Sequence, residues 1–123
     1  MTAVARLKRR PEFLAVAATR RRWVAPGLIL QAMRRSEDSD LPAAPRIGFT
    51  ASKKVGIAVE RNRARRRLRA AVELLLPRHG LPDHDYVLVA RTTTITRPFP
   101  DLIADLETAL TRIHEKRERP GAV

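Results

Sequence analysis

The sequence contains no cysteine and few aromatic residues. Without a cysteine among its 123 residues the chain can form neither a disulfide nor a thiolate metal site. Its five aromatic side chains are too few to build a core, so Leu, Ile, Val and Ala must supply most of it. No apolar run reaches the length of a membrane span, and no apolar segment follows the charged N-terminus as in a secretory signal. We therefore expect one cytoplasmic domain over residues 1–123.

Negative charge is also scarce. The chain carries 25 Lys and Arg against 13 Asp and Glu, a formal net charge of +12. Such an excess in a small domain is self-repulsive and is typical of proteins whose partner is a polyanion. Arginine outnumbers lysine by 21 to 4. Because a guanidinium binds phosphate through two parallel hydrogen bonds, this bias favours nucleic acid over a lipid surface. A GC-rich genome would also raise the arginine content, but it would not cluster the arginines.

Hydrophobic periodicity predicts an α+β domain of order α-β-β-α-β-α, with one further strand around Trp23. Strands are predicted at Leu28–Met33, which should be buried on both faces, at Arg46–Ser52 and at Tyr86–Arg91. Segment 36–45 is rich in Ser, Asp, Glu and Pro, and we interpret it as an acidic loop at a hairpin tip. The strand–helix–strand unit 46–91 normally closes a parallel sheet, here of three or four strands.

Three helices are predicted. The first begins near Pro11, since proline is tolerated in the first turn, and its expected apolar face is Phe13, Leu14, Ala17 and Ala18. The second spans Ala58–Leu76 and ends at Pro77. Its apolar residues form one stripe of helical period: Ala64, Leu68, Ala71, Val72, Leu75 and Leu76. The third opens at Pro98 or Pro100, before a charged, frayed tail at 115–123, and its stripe is Leu102, Ile103, Leu106, Ala109, Leu110 and Ile113.

The strongest functional signal lies at the start of the second helix. Between Lys53 and Arg69 there are eight cations and one acid, Glu60, a net charge of +7. Solvated helix faces usually alternate Lys and Glu, whereas this one is unmixed until Glu73. The face opposite the apolar stripe carries Asn62, Arg66 and Arg69, with Arg63 and Arg67 on one flank and Arg65 on the other. Such a face suits several phosphates and predicts steeply salt-dependent binding.

Catalytic and metal-binding patterns are missing from the sequence. The three histidines are not spaced as metal ligands, and we interpret them as surface residues: His79, His84 and His114. Three acids are interpreted as loop or helix-start residues rather than an acid–base pair: Asp83, Asp85 and Asp101. We therefore expect no catalytic residue, no metal and no cofactor in the chain itself, which disfavours a protein-only hydrolase.

The segment Arg46–Arg69, RIGFTASKKVGIAVERNRARRRLR, resembles the signature of the bacterial ribonuclease P protein family. That signature has a strand ending in Ser-Lys-Lys, a Gly-x-Ala-Val turn, and Arg-Asn-Arg at the start of a basic helix. Weaker resemblance extends to Arg6-Leu7 with Glu12-Phe13, and to Asp85–Arg91. The resemblance implies an α/β sandwich whose strand–helix–strand crossover is left-handed, against the usual rule.

The resemblance implies the non-catalytic protein subunit of a ribonucleoprotein endoribonuclease. Members of the family bind a catalytic RNA, which supplies the active site and its magnesium ions, and they assist removal of the 5′ leader from precursor tRNA. We expect a monomeric protein in a 1:1 complex with that RNA, and no membrane partner. The alternative is a structural ribosomal or general RNA-packaging protein with no role in cleavage. Composition points equally to both, and the Ser-Lys-Lys to Arg-Asn-Arg signature favours the first.

Carried over by position, the resemblance assigns two sets of residues. The first is expected to contact the catalytic RNA: Lys53, Lys54, Arg61, Asn62, Arg63, Arg65, Arg66, Arg67 and Arg69. The second is expected to line a cleft for the leader: Phe13, Phe49, Arg46, Ser52 and Arg91. Some relatives carry further cleft aromatics where this chain has Ala17 and Gln31, so we expect less base stacking and more charge in the cleft. Trp23 either compensates for them or lies at the edge of the core.

Overall fold

The structure is a computed structural model that describes residues 4–117, with side chains to residue 115. The elements in chain order are β1 (Ala5–Arg6), α1 (Arg10–Ala18), β2 (Arg22–Val24), β3 (Leu28–Arg34), β4 (Arg46–Thr50), α2 (Ala58–His79), β5 (His84–Ala90), α3 (Thr92–Thr96) and α4 (Phe99–Arg117). One sheet of order β1-β4-β5-β3-β2 joins the five strands. β4 lies parallel to β1 and β5, whereas β3 is antiparallel to β5 and β2.

The predicted α+β class and element order are confirmed, and β4–α2–β5 is the expected parallel unit. The handedness of its crossover stays an expectation from the resemblance. The sheet has five strands rather than three or four, because both Trp23 and Ala5–Arg6 lie in short edge strands. Two residues carry no periodicity, so β1 left no signal in the sequence. The short helix α3 was also unpredicted, since its residues, TTTIT, are poor helix formers.

The two faces of the sheet are covered unequally. Helices α2 and α4 cover one face, and the six predicted stripe residues of α2 are all buried there. The stripe of α4 is buried too, apart from the half-buried Ile103. On β3 the residues on this face are buried and those on the other, Ile29, Gln31 and Met33, are only half-buried. The expected burial of β3 on both faces was therefore wrong for the face that α1 covers.

Helix α1 packs through a different side from the one expected. Val16 is buried against Leu7 and Val87, and Phe13 packs beside them. Leu14, Ala17 and Ala18 are exposed, so the predicted apolar face was wrong. Because α1 carries small residues on several sides, its periodicity does not indicate which side packs against the sheet. Gly48 of β4 fixes the arrangement, because a Cβ at that position would overlap the ring of Phe13.

Two predicted boundaries differ from the structure. Pro77 does not end α2, which continues to His79, where Gly80 N–H donates to Leu76 O over 2.8 Å. Pro77 removes the hydrogen bond to the carbonyl of Glu73, which is an exposed residue on the solvent side of the helix. Helix α4 continues through Arg117, past the predicted start of the frayed tail at 115, and residues 118–123 lie outside the described residues.

Segment 36–45 forms neither helix nor strand and joins β3 to β4. Because β5 lies between those strands, the loop is not a hairpin tip but passes the end of β5. Arg35 holds the loop in place, donating through Nη2 to Pro42 O (2.7 Å) and Ala44 O (3.2 Å).

Among the described helices, none is long and apolar enough to cross a membrane.

The interpretation of Asp85 as a loop residue was wrong. Asp85 lies in β5, is 0% exposed, and accepts from Arg46 Nε (2.8 Å) and Nη2 (2.7 Å) and from Arg35 Nη1 (2.8 Å). Arg46 also donates to Glu12 Oε2 over 2.7 Å, which ties α1 to β4. The hydrogen bond to Asp85 raises the pKa of Arg46 above its ordinary value despite partial burial. The cluster is a structural ion-pair network.

The interpretation of all three histidines as surface residues was also wrong. His84 is buried in β5, with Nδ1 2.9 Å from Pro82 O. His114 of α4 is half-buried, and its Nε2 lies 2.8 Å from the hydroxyl of Tyr86, which also accepts from Leu81 N–H. Only His79, half-exposed and 3.7 Å from Glu107, lies near the surface as expected. Within residues 4–115 no three His, Asp or Glu side chains are grouped as metal ligands.

Candidate nucleic-acid interface

A continuous cationic surface runs from the turn after β4 along the first three turns of α2. Lys53 and Lys54 are exposed in that turn, and Arg63, Arg66 and Arg69 are exposed on the helix. In the part of the chain that the structure describes, these five side chains make no hydrogen bond or ion pair with protein. We call them the open cations. Asn62 is exposed on the same side of α2, as the periodicity predicted.

The start of α2 is held in place by its single acid. Glu60 Oε1 accepts the backbone N–H of Ile57 over 2.9 Å, which satisfies a donor at the helix start. Gly56 has a φ of +150°, and a Cβ at that position would overlap the Glu60 side chain. Val55 is buried and anchors the turn to the core. The backbone geometry therefore fixes the direction of the cations on either side.

Two arginines assigned to the RNA make hydrogen bonds within the protein, and a third is half-buried. Arg67 donates through Nε to Thr94 O (2.9 Å) and through Nη2 to Arg97 O, and its guanidinium lies 5.9 Å from the ring centroid of Phe99. It therefore docks α3 onto α2. Arg65 donates through Nη1 to Asn62 Oδ1 over 2.9 Å. Arg61 is half-buried, and its Nε is shielded from solvent with no hydrogen-bond partner among the described residues.

A cavity of about 400 Å³ adjoins the cationic surface at the edge of β4. Three residues of the predicted leader cleft line it, Phe13, Phe49 and Ser52, together with Arg10, Arg65 and Val89. In the described chain β1 pairs with Arg46 and Ile47 of β4, so no described strand pairs with the edge of β4 at the level of the cavity. Arg6 lies over the outer side of Phe49, with its guanidinium carbon 5.1 Å from the ring centroid. Arg65 connects the cavity with the face of α2.

A second cavity, of about 310 Å³, lies on the face of the sheet that carries α1. It is lined by Ala17 and Gln31, the two positions at which the resemblance implied missing cleft aromatics, and by Arg20, Arg21 and Arg22. Arg20 has a φ of 58°, in the left-handed region, and directly follows Thr19, the C-cap residue of α1. Arg21 also donates to the carbonyl of Ile113 in α4 over 3.3 Å. Charged groups thus surround the position where the missing aromatics would stand.

Two residues assigned to the leader cleft are not brought to the first cavity. Arg46 is held by Asp85 and Glu12, and Arg91 donates through Nη1 to Ala25 O over 2.6 Å. Trp23 packs against the core under α2 and α4, on the face of the sheet opposite to Phe13. It is therefore a core-edge residue and does not replace a cleft aromatic. Sequence patterns could not indicate these partners, because each is set by a distant segment of the chain.

The fold and the surface together define a class: a small mixed α/β protein with a cationic surface, at the start of one helix, that suits nucleic acid. A model of the family described as Ribonuclease P matches residues 1–114. The chain is 55% identical over 109 residues to the ribonuclease P protein component of Paramagnetospirillum magneticum, covering 88% of this chain and 81% of the relative. It is 46% identical over 116 residues to that of Caulobacter vibrioides, covering 94% and 75%. The chain belongs to the ribonuclease P protein family.

Solved structures agree in fold. The RNase P protein of Staphylococcus aureus superimposes with a TM-score of 0.70 at 22% identity, covering 86% of this chain and 92% of that one. The protein from Thermotoga maritima gives 0.71 at 20% identity, covering 87% and 96%. The chain is thus a protein component of a tRNA-processing endoribonuclease that has an RNA partner. The RNA contacts of individual residues stay predictions.

Proposed function

We propose that this protein binds the catalytic RNA of ribonuclease P through the open cations of α2, and the 5′ leader of precursor tRNA through the cavity at Phe13 and Phe49. The RNA carries the active site and holds the magnesium ions. One protein binds one RNA. The protein fixes the RNA fold and adds affinity for the substrate, so it lowers the magnesium concentration that cleavage requires.

The observation that carries this proposal is the clustering of the open cations, five in seventeen residues, which have no internal partner among the described residues. Several arginines elsewhere in the described chain are instead used by the fold, as Arg35, Arg46 and Arg97 are in ion pairs with Asp85 and Asp105. The open cations make no hydrogen bond or ion pair with the described residues, and their like charges repel one another. This repulsion destabilises the free protein. A phosphate backbone relieves that repulsion and releases counterions on binding.

The cavity supports the leader assignment through its chemistry. The half-buried Phe13 and the buried Phe49, which is 9% exposed, line the cavity with aromatic carbon, while Arg10 and Arg65 supply charge at the same opening. Single-stranded nucleic acid is bound by this combination of stacking surfaces and backbone charge. Arg65 lies both at the cavity and on α2, so a leader in the cavity would approach the RNA that α2 binds. In this proposal the substrate and the catalytic RNA therefore lie side by side.

The test is reconstitution with the ribonuclease P RNA at low magnesium, scored by cleavage of precursor tRNA. We expect the wild-type protein to stimulate cleavage and Arg66→Ala to stimulate it less at limiting protein concentration. The matched control is Arg78→Ala, an exposed arginine at the far end of α2. A second substrate without a leader extension separates the two sites. Phe13→Ala should weaken binding of the precursor that carries the leader, but not binding of the leaderless substrate or of the catalytic RNA. No stimulation by wild-type protein would overturn the proposal and favour an RNA-packaging role.

A further inference from the structure

Two aliphatic side chains stand exposed at the start of the cationic surface. Ile57 is 68% exposed and Val59 is 72% exposed. They lie between Lys54 and Arg61, in the most highly charged part of the chain. Isolated exposed aliphatic residues are common on protein surfaces and by themselves indicate nothing. This pair is set apart by the structural position that Ile57 occupies.

Ile57 is the N-cap residue of α2. That position strongly prefers Ser, Thr, Asp or Asn, whose side-chain oxygen accepts a hydrogen bond from a first-turn N–H group, and isoleucine is among the worst choices. The side chain of Ile57 has no acceptor and does not belong to the core, whereas Val55, two residues earlier, is buried. Neither helix capping nor core packing therefore accounts for an isoleucine at this position.

We propose that Ile57 and Val59 form an apolar contact inside the RNA interface, packing on an exposed base or ribose while the surrounding cations bind phosphates. The inference rests on the proposed function and specifies the chemistry of the same surface. Charge complementarity indicates that RNA is the partner of this pair, because Lys53 and Lys54 precede it and Arg61 and Arg63 follow it. Nucleic acid combines negative charge with apolar base faces, and so it matches both the aliphatic pair and the cations around it.

The aliphatic pair and the cations should contribute to binding with different salt dependence. Each arginine–phosphate contact releases counterions, so the affinity falls as salt rises. Burial of an aliphatic side chain releases none. Loss of the aliphatic contact should therefore reduce the affinity by a similar factor at every salt concentration and leave the slope of log K against log salt unchanged. A lost phosphate contact reduces that slope.

The experiment measures the Kd of the full chain for the ribonuclease P RNA over a range of salt concentrations. We expect Ile57→Ser to bind about tenfold more weakly, the equivalent of losing roughly half the burial of one aliphatic side chain, with an unchanged slope. Val59→Ser should weaken binding to a lesser degree, and Ile57→Val should retain most of the affinity. The matched control is Leu74→Ser, because Leu74 is 54% exposed on the same helix beyond the open cations. It should bind like wild type.

Folding and binding can be told apart in the same variant. Serine is a better N-cap than isoleucine, so Ile57→Ser should have an equal or higher Tm while its affinity falls. Wild-type affinity in Ile57→Ser would overturn the inference, and so would a reduced salt slope, which would assign the effect to phosphate contacts. Loss of self-association by sedimentation with unchanged RNA affinity would assign the pair to a second copy and overturn it. Failure of the wild-type chain to bind the RNA would instead overturn the proposed function.

Discussion

Two arginine-rich regions of this protein have opposite roles. Around Asp85, Arg35 and Arg46 are held in short ion pairs with buried or half-buried carboxylates. Along the start of α2, Arg63, Arg66 and Arg69 are exposed and have no protein partner in the described chain. The first region stabilises the fold, and the second opposes it. Arginine content therefore says little about function until each guanidinium has been matched with its partner.

The largest expected effect is in the partnered region. Asp85→Ala should lower the free energy of unfolding by about 3–5 kcal/mol, because it leaves the guanidinium groups of Arg35 and Arg46 without their shared carboxylate. Urea unfolding monitored by circular dichroism measures this. Asp83→Asn is the control, since Asp83 is exposed and lies 3.8 Å from Arg35, and its loss should cost less than about 1 kcal/mol. Equal effects would mean that burial of Asp85 does not matter.

Arg67 lies in the region of the open cations but is expected to behave like the partnered arginines. Arg67→Ala should cost about 1.5–3 kcal/mol, because two charge-assisted hydrogen bonds to the backbone of the α3 segment are lost. Arg67→Lys should fail to restore the stability, since one ammonium cannot reproduce the forked geometry. The RNA-binding salt slope of a folded Arg67→Lys protein should match wild type. If Arg67→Ala unfolds like wild type, the hydrogen bonds of Arg67 do not stabilise the fold and the prediction is wrong.

Arg66→Ala should show the reverse pattern. Its unfolding free energy should stay within about 0.5 kcal/mol of wild type, because the side chain is exposed and makes no hydrogen bond or ion pair with the described residues. Its affinity for the ribonuclease P RNA should fall, and the slope of log K against log salt should become shallower by roughly 0.7–0.9 if one phosphate contact is lost. Arg66→Lys should keep most of the slope. An unchanged slope in Arg66→Ala would place the phosphate contacts elsewhere.

The smallest effect concerns pH. Backbone hydrogen bonds from Arg9 and Lys8, helped by Arg46, hold the pKa of Glu12 below its ordinary value. A carboxylate with a lowered folded pKa stabilises the protein above its unfolded pKa and loses that contribution as pH falls through the folded value. Stability should therefore decline on acidification below about pH 4.5. Glu12→Gln should flatten this part of the profile, measured as Tm against pH, whereas Glu37→Gln in the exposed loop should not.

The sequence was most informative where a pattern was long and local. The six-residue stripe of α2 and the unmixed charge opposite it determined which way Arg66 and Arg69 point. Features that depend on distant segments left no such signal. Asp85 meets Arg35 and Arg46 across 50 and 39 positions of the chain, and Arg67 meets Thr94 across 27. The buried face of α1 was predicted wrongly because its alanines fit either face. The two-residue strand β1 was too short to show a period.

The left-handed backbone of Arg20 has a consequence for engineering the protein. A glycine at that position would close α1 without the steric cost of a side chain, so Arg20→Gly is a simple route to a more stable domain. The same change removes one of the three guanidinium groups around the cavity at Ala17 and Gln31. At this one residue, the substitution that raises the stability also lowers the positive charge. A library selected only for thermal resistance would be expected to discard this arginine early, and with it part of the protein's positive surface.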